Sequence, residues 1–261
     1  MGQKMKKPPI FYTIGQIQFN TVLGMVKFVP EIQEAFRSSF PDFQTQKIAN
    51  IQIRFMGDSS PAQATAQDQW QFTDLRRMSG YVLRQNSLVF HTTAYEDSKH
   101  FLQKVLDGIS VVNTHASLSY IDSVAIRTLD AVIPESDLSV RDYLNPAIHG
   151  LSEGLEGGLK QSLSESLWEI PPSGVLISRA AIVKGVLAVP MDLFPLALEL
   201  KPQLRDIQAA EHALLDNDRQ EKQRFEYDLD EIGKRLVIVK KNVTEAFEKQ
   251  VSEVALKRWN S

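Results

Sequence analysis

Two stretches of alternating polarity constrain this chain more than any other feature of its sequence. From Thr13 onward, Gly15, Ile17 and Phe19 fall on one side and Gln16, Gln18 and Asn20 on the other. In KIANIQIRFM (47–56), Ala49, Ile51, Ile53 and Phe55 alternate with Asn50, Gln52 and Arg54. Successive side chains of a strand point to opposite faces, so each stretch predicts a strand with one apolar and one polar face. Strands of this kind belong to an antiparallel sheet covered on one side.

The helices predicted to cover it are legible from their spacing. VPEIQEAFRSSF (29–40) places Val29, Ile32, Phe36 and Phe40 three and four apart, with Pro41 at its end. A second helix follows a cap at Asp97 or Ser98, its stripe formed by Phe101, Val105, Leu106 and Ile109. Between them, WQFTDLRR (70–77), GYVLRQ and SLVFHTTAY (80–95) read as strands with a turn at Gln85 and Asn86. The order over 1–115 is therefore strand, helix, four strands, helix.

The second half, 116–261, reads in the same order. SYIDSVAIRTLDAVI (119–133) is a strand and SVRDYLNPAI (139–148) a Ser-capped helix broken by Pro146. GVLISRAAIV, GVLAVPMDLF and EHALLDNDR are strands, and a long C-terminal helix carries Leu229, Ile232, Leu236, Val239, Val243 and Ala246, with a second start at Ser252 and Glu253. The Gly/Ser-rich insertion 149–174 reads as a flexible, partly amphipathic connection through Leu151, Leu155 and Leu159. The expected fold is α+β: two repeats of strand-helix-four strands-helix, forming a curved antiparallel sheet with helices on one face. This topology resembles the duplicated half-domain of TATA-binding proteins, a likeness of fold that does not extend to function.

Composition excludes several classes of chemistry. With no cysteine among 261 residues, disulfides, thiolate metal sites and cysteine nucleophiles are absent, and a reducing, cytoplasmic setting is expected. No apolar run is long enough to span a bilayer. A formal net charge of -3 disfavours gripping nucleic acid by bulk electrostatics, since Lys and Arg supply most non-specific affinity. KMKKPPIFYTIGQIQFN (4–20) begins like a basic targeting region, but Pro8, Pro9, Gln16 and Gln18 interrupt the apolar segment that a secretory signal needs. It reads as a lead-in to the first strand, with Pro9 at the strand start where a missing N–H is tolerated.

Several short motifs together resemble a sporadically distributed prokaryotic family of uncharacterised proteins with an N-terminal Lys-Pro-Pro-Ile strand. They are Lys7-Pro8-Pro9-Ile10 with Ile17 and Phe19, Trp70 with Phe72, Thr92, Thr93 and Tyr95 ahead of Phe101, Arg127 in AIRTLD, Asp216 with Asp218, Phe247 and Trp259. Tyr12 stands where that family usually has an acidic residue, and Asp130 where it usually has Asn. The family's patchy occurrence implies an accessory role in mobile or defence gene sets and supplies no catalytic residues.

Candidate chemistry is sparse. Asp216 and Asp218, two apart on a strand, share a face and form the one candidate metal pair, with Glu211 or His212 as a third ligand, as in metal-dependent nucleases. The competing reading pairs Asp216 with an arginine. His91, His100, His115, His149 and His212 are not spaced for zinc, no Gly-x-Ser-x-Gly elbow occurs, and no cofactor is implied. Arg127 lies in an apolar strand, where a guanidinium needs a carboxylate or carbonyls; Asp122 and Asp130 are its neighbours in sequence, and an anion or ligand contact is the alternative. The polar sheet face offers Gln16, Gln18, Asn50, Gln52, Arg54, Gln71 and Thr73, amide-rich and nearly uncharged. The expectation is a non-enzymatic binding or assembly protein that recognises a protein partner or self-associates. A metal-dependent nuclease and a nucleic-acid binder using the sheet face are the alternatives.

Overall fold

A computed structural model describes residues 5–51, 64–135, 137–150, 159–193, 196–205 and 211–261. Its first half contains strand β1 (Ile10–Phe19), helix α1 (Val29–Phe36), strands β2 (Asp42–Ile51), β3 (Ala64–Thr73), β4 (Ser79–Arg84) and β5 (Ser87–Thr92), and helix α2 (Ser98–Ala116). The second contains β6 (Tyr120–Val132), β7 (Gln161–Glu169), β8 (Val175–Lys184), the four-residue α3 (Pro202–Arg205), β9 (Glu211–Glu221), β10 (Phe225–Glu226), α4 (Leu229–Gln250) and α5 (Glu253–Asn260). All strands join one antiparallel sheet in the order β2-β3-β4-β5-β1-β6-β9-β8-β7, with β10 pairing the start of β6. Among the described residues no helix is long and apolar enough to cross a membrane.

One face of the sheet carries the main core. Ile17, Phe19, Trp70, Phe72, Tyr81, Leu83, Phe90, Val124 and Ile126 pack against the apolar stripes of α1, α2 and α4. Gly15 belongs to this face, because a Cβ there would meet Val105 Cγ2 at 2.7 Å and so hold α2 away from the strand. Each helix begins with a side-chain cap where its sequence offers one: Asp97 accepts from the His100 amide at 2.8 Å, Asp228 from Glu231 at 3.0 Å, and Ser252 from Ala255 at 3.2 Å. Helix α4 spans both halves. Ile232 to Val243 join the first core, whereas Phe247, with Trp259 from α5, closes a second one over Val132, Ile182 and Leu215.

Three expectations change. Gln161–Glu169, inside the stretch read as a flexible connection, is a strand at the sheet edge. The 139–148 segment forms two short 3-10 turns, Val140–Tyr143 and Pro146–Ile148, because Pro146 denies an α-helix its next turn. GVLAVPMDLF (185–194) is not a strand over its described residues, which hold only a 3-10 turn at Met191–Leu193.

That last segment also modifies the one-sided picture. Within 185–205, Leu187, Leu193, Leu196, Leu198, Leu200 and Leu204 lie against Phe11, Tyr12, Ile14, Leu129, Ala131 and Leu214, on the face away from α1, α2 and α4. Its far end is tied to the first half by Glu199 N–H donating to Arg77 O at 2.7 Å and Thr93 Oγ1 donating to Glu199 O at 2.6 Å. The apolar run is thus a strap across the sheet, and it seals the centre of the face expected to be wet.

Candidate functional site

The register aligns residues on the strap-side face into rows. One row runs Tyr12, Leu129, Asp216, Arg179, Glu165 across β1, β6, β9, β8 and β7. Its charges form a connected network. Arg127 grips Asp216 through two parallel bonds, Nε to Oδ1 and Nη2 to Oδ2, both 2.7 Å, and reaches Asp192 on the strap at 2.5 Å. Arg179 reaches Asp216 at 3.2 Å and Glu165 at 2.5 Å. Burial pulls the Arg127 pKa down, but the two carboxylates outweigh it and hold the guanidinium charged.

Arg127 therefore finds its carboxylates on other elements and not among its sequence neighbours. Asp130, three residues on, points to the opposite face because an odd separation along a strand reverses direction; it lies beneath α4, where burial pushes its carboxyl up to about 7 and the Lys240 charge opposes that. Asp122 instead pairs with Arg224 at 2.8 Å.

Asp216 and Asp218 do share a face, but the two arginines already engage both oxygens of Asp216. Asp218 is opposite Arg127 in the register, and burial raises its pKa. Glu211 turns to Arg141, and His212 Nε2 faces the Ala188 amide of the strap at 3.4 Å. Among the described residues, no group of three His, Asp or Glu is arranged to hold a metal ion.

Beside this network, Tyr12 Oη lies 2.7 Å from His91 Nδ1, with both residues buried. Burial lowers the His91 pKa to about 4 and raises that of Tyr12, so the pair is neutral at physiological pH. The unfolded chain would protonate His91 near 6.5. Its contribution to stability is therefore present above that pH and lost as pH falls toward about 4, by roughly 3 kcal/mol. Asp130 acts in the opposite sense over the same range, so the readout is a difference between proteins. His91→Gln is expected to flatten the acid-side decline of the urea midpoint between pH 6.5 and 4, and an unchanged slope would contradict the assignment.

The amide face is partly assembled. One row runs Gln44, Gln71, Val82, Val89, Gln16, Ala125, Gln220, and beside it lie Gln46, Gln69, Arg84, Ser87, Gln18 and Ser123. Several of these amides are already engaged: Gln71 with Gln46 at 3.3 Å, Arg84 with Gln69 at 2.9 Å, and Ser123 with both Gln18 and Gln220 at 3.3 Å. Gln16, Gln18 and Gln71 are half-buried and Thr73 is buried. Asn50 lies on β2 opposite Thr65, whereas Gln52 and Arg54 fall outside the described residues.

The feature missed in the sequence is β7. Leu163, Leu167 and Trp168 are 62%, 67% and 57% exposed on a strand whose other edge meets no strand among the described residues. Its signal was the period-two pattern Ser162, Leu163, Ser164, Glu165, Ser166, Leu167 within a Gly/Ser-rich context. No family model matches the chain, and no curated protein matches its sequence.

Proposed function

We infer that this is a binding and assembly protein without chemistry of its own, meeting a protein partner through the β7 edge. The observation that carries this reading is the exposure of three large apolar side chains on an edge strand whose outer side meets no strand among the described residues. Such an edge offers free backbone N–H and C=O groups together with apolar contact, the combination by which an added strand is recognised. Soluble folds ordinarily blunt their edges with charge, bulges or short strands, yet β7 runs for nine residues with no register shift against β8.

The two-repeat reading and the likeness to TATA-binding-protein topology belong to the same proposal. Adjacent central strands β1 and β6, each followed by strands that return toward it, support that reading; the second half has three returning strands, β7 to β9, against four in the first. The family resemblance carried by Lys7-Pro8-Pro9-Ile10 adds an accessory role in a prokaryotic mobile-element or defence system, in the cytoplasm as the cysteine-free composition suggests.

The test is affinity purification from the native host with mass spectrometry of proteins and nucleic acids. Proteins recovered with the wild type are expected to disappear with Leu163→Ser/Leu167→Ser/Trp168→Ser and to persist with Val237→Ser on the exposed side of α4. Recovery unaffected by the β7 triple variant would refute the reading. So would Mg²⁺- or Mn²⁺-dependent cleavage of nucleic acid that is lost in Asp216→Ala.

A further inference from the structure

The central five residues of β7 are their own mirror about Glu165: Leu163, Ser164, Glu165, Ser166, Leu167, with Ser162 and Trp168 outside them unmatched. A palindrome on an edge strand has a physical consequence. In antiparallel pairing about a two-fold axis through Glu165, Leu163 of one copy faces Leu167 of the other, Ser164 faces Ser166, and Gln161 faces Glu169. The whole strand is then in register.

The backbone phase permits this arrangement. Lys184 N–H donates to Lys160 O, and Ile170 N–H to Gly174 O, so the even-numbered residues of β7 direct their hydrogen-bonding groups toward β8. In an antiparallel ladder inward- and outward-directed residues alternate. Gln161, Leu163, Glu165, Leu167 and Glu169 therefore direct their N–H and C=O groups outward, and a two-fold axis at Glu165 matches each of them with another outward-directed residue. An axis at Leu163 or Leu167 keeps the phase and sets that one leucine opposite its own copy, but it shortens the overlap and leaves the other leucine opposite a residue beyond the strand. The like charges brought together at Glu165 are each already held by Arg179 at 2.5 Å, which tempers the cost of facing carboxylates.

We propose that β7 is a self-pairing edge through which two copies of this chain join antiparallel about Glu165, making one continuous sheet across the dimer. This rests on the reading of β7 as a docking edge and commits its occupant. Isologous contact of this kind is the usual route to closed dimers, because one self-complementary patch satisfies both partners.

The absence of cysteine from the chain gives a direct test. In Glu165→Cys the introduced thiol faces its own copy at a Cα separation of about 5.5 Å, within disulfide range. In Gln161→Cys the two thiols are eight residues out of register, about 27 Å apart. Under mild oxidation the purified Glu165→Cys protein is expected to become a covalent dimer while Gln161→Cys stays uncrosslinked. Sedimentation velocity of the wild type is expected to show a concentration-dependent dimer, with Leu163→Lys/Leu167→Lys weakening it at least about tenfold. A monomeric wild type, or equal crosslinking at the two positions, overturns the self-pairing. If host proteins are still lost from the β7 triple-serine variant in that case, the edge binds a different protein and the broader reading survives. If they are not, both fall.

Discussion

Asp216→Ala is expected to lower unfolding stability by about 3 kcal/mol. The carboxylate is 3% exposed and holds Arg127, itself 10% exposed, so its removal strands a guanidinium out of water. Asp192 still reaches Arg127, but that carboxylate is 64% exposed and water competes for it, which places the loss at the lower end for a broken buried pair. Asp192→Ala alone should cost no more than about 1 kcal/mol for the same reason. Replacing both ends, as Arg127→Met/Asp216→Leu, should recover most of the loss, because a packed apolar pair avoids the desolvation of two charges. Urea denaturation checks all three variants. It also separates the ion pair from a metal pair: a bound divalent ion would make the wild-type midpoint depend on chelator, and the arginine-bridged carboxylate would not.

The second large effect belongs to Tyr81. Its ring stacks on Phe36 at 4.5 Å and meets Phe40 at 4.9 Å and Phe90 at 5.0 Å, so it joins α1 to the sheet through one aromatic cluster. Helix α2 approaches so closely that a Cβ on Gly108 would lie 2.3 Å from the ring, and the hydroxyl donates to Lys104 O at 2.6 Å. Tyr81→Ala should cost about 3–5 kcal/mol, since neighbours on three elements cannot all collapse into the space. Tyr81→Phe keeps the ring and loses one hydrogen bond, about 1 kcal/mol. A small difference between the two variants in urea midpoint would show that the cluster repacks freely.

What was legible in the sequence was what burial writes into it. Gly15, Ile17 and Phe19 alternate because one side of β1 meets α2, and the stripe from Ile232 to Val243 repeats because α4 lies on the sheet. The strand expected over 185–194 fails for a physical reason: Leu187 and Leu193 are apolar because they are covered, and apolarity reports burial without saying which geometry achieves it. The opposite held for β7, where exposure left serines at alternate positions and the composition imitated a linker. The Arg127–Asp216 pair joins residues 89 apart in sequence, and their contact is fixed by the register of β6 on β9, which no local pattern contains. For the candidate site, residue types and faces were therefore readable, and partners were not.

The central seam has a bearing on how the molecule forms. Strands β1 and β6 pair along nine residues in the middle of the sheet, yet the partners lie on the order of a hundred residues apart in the chain. During synthesis β1 emerges early and can pair with β5, while its other edge waits for β6. That edge, with Tyr12 and Ile14 still lacking their final neighbours, is a temporary site for wrong pairings, and loop closure over so long a span makes the seam slow to form. Folding of the first half is thus coupled to delivery of the second, and an interruption of the chain before Tyr120 would leave an unfinished sheet with the β1 edge uncovered.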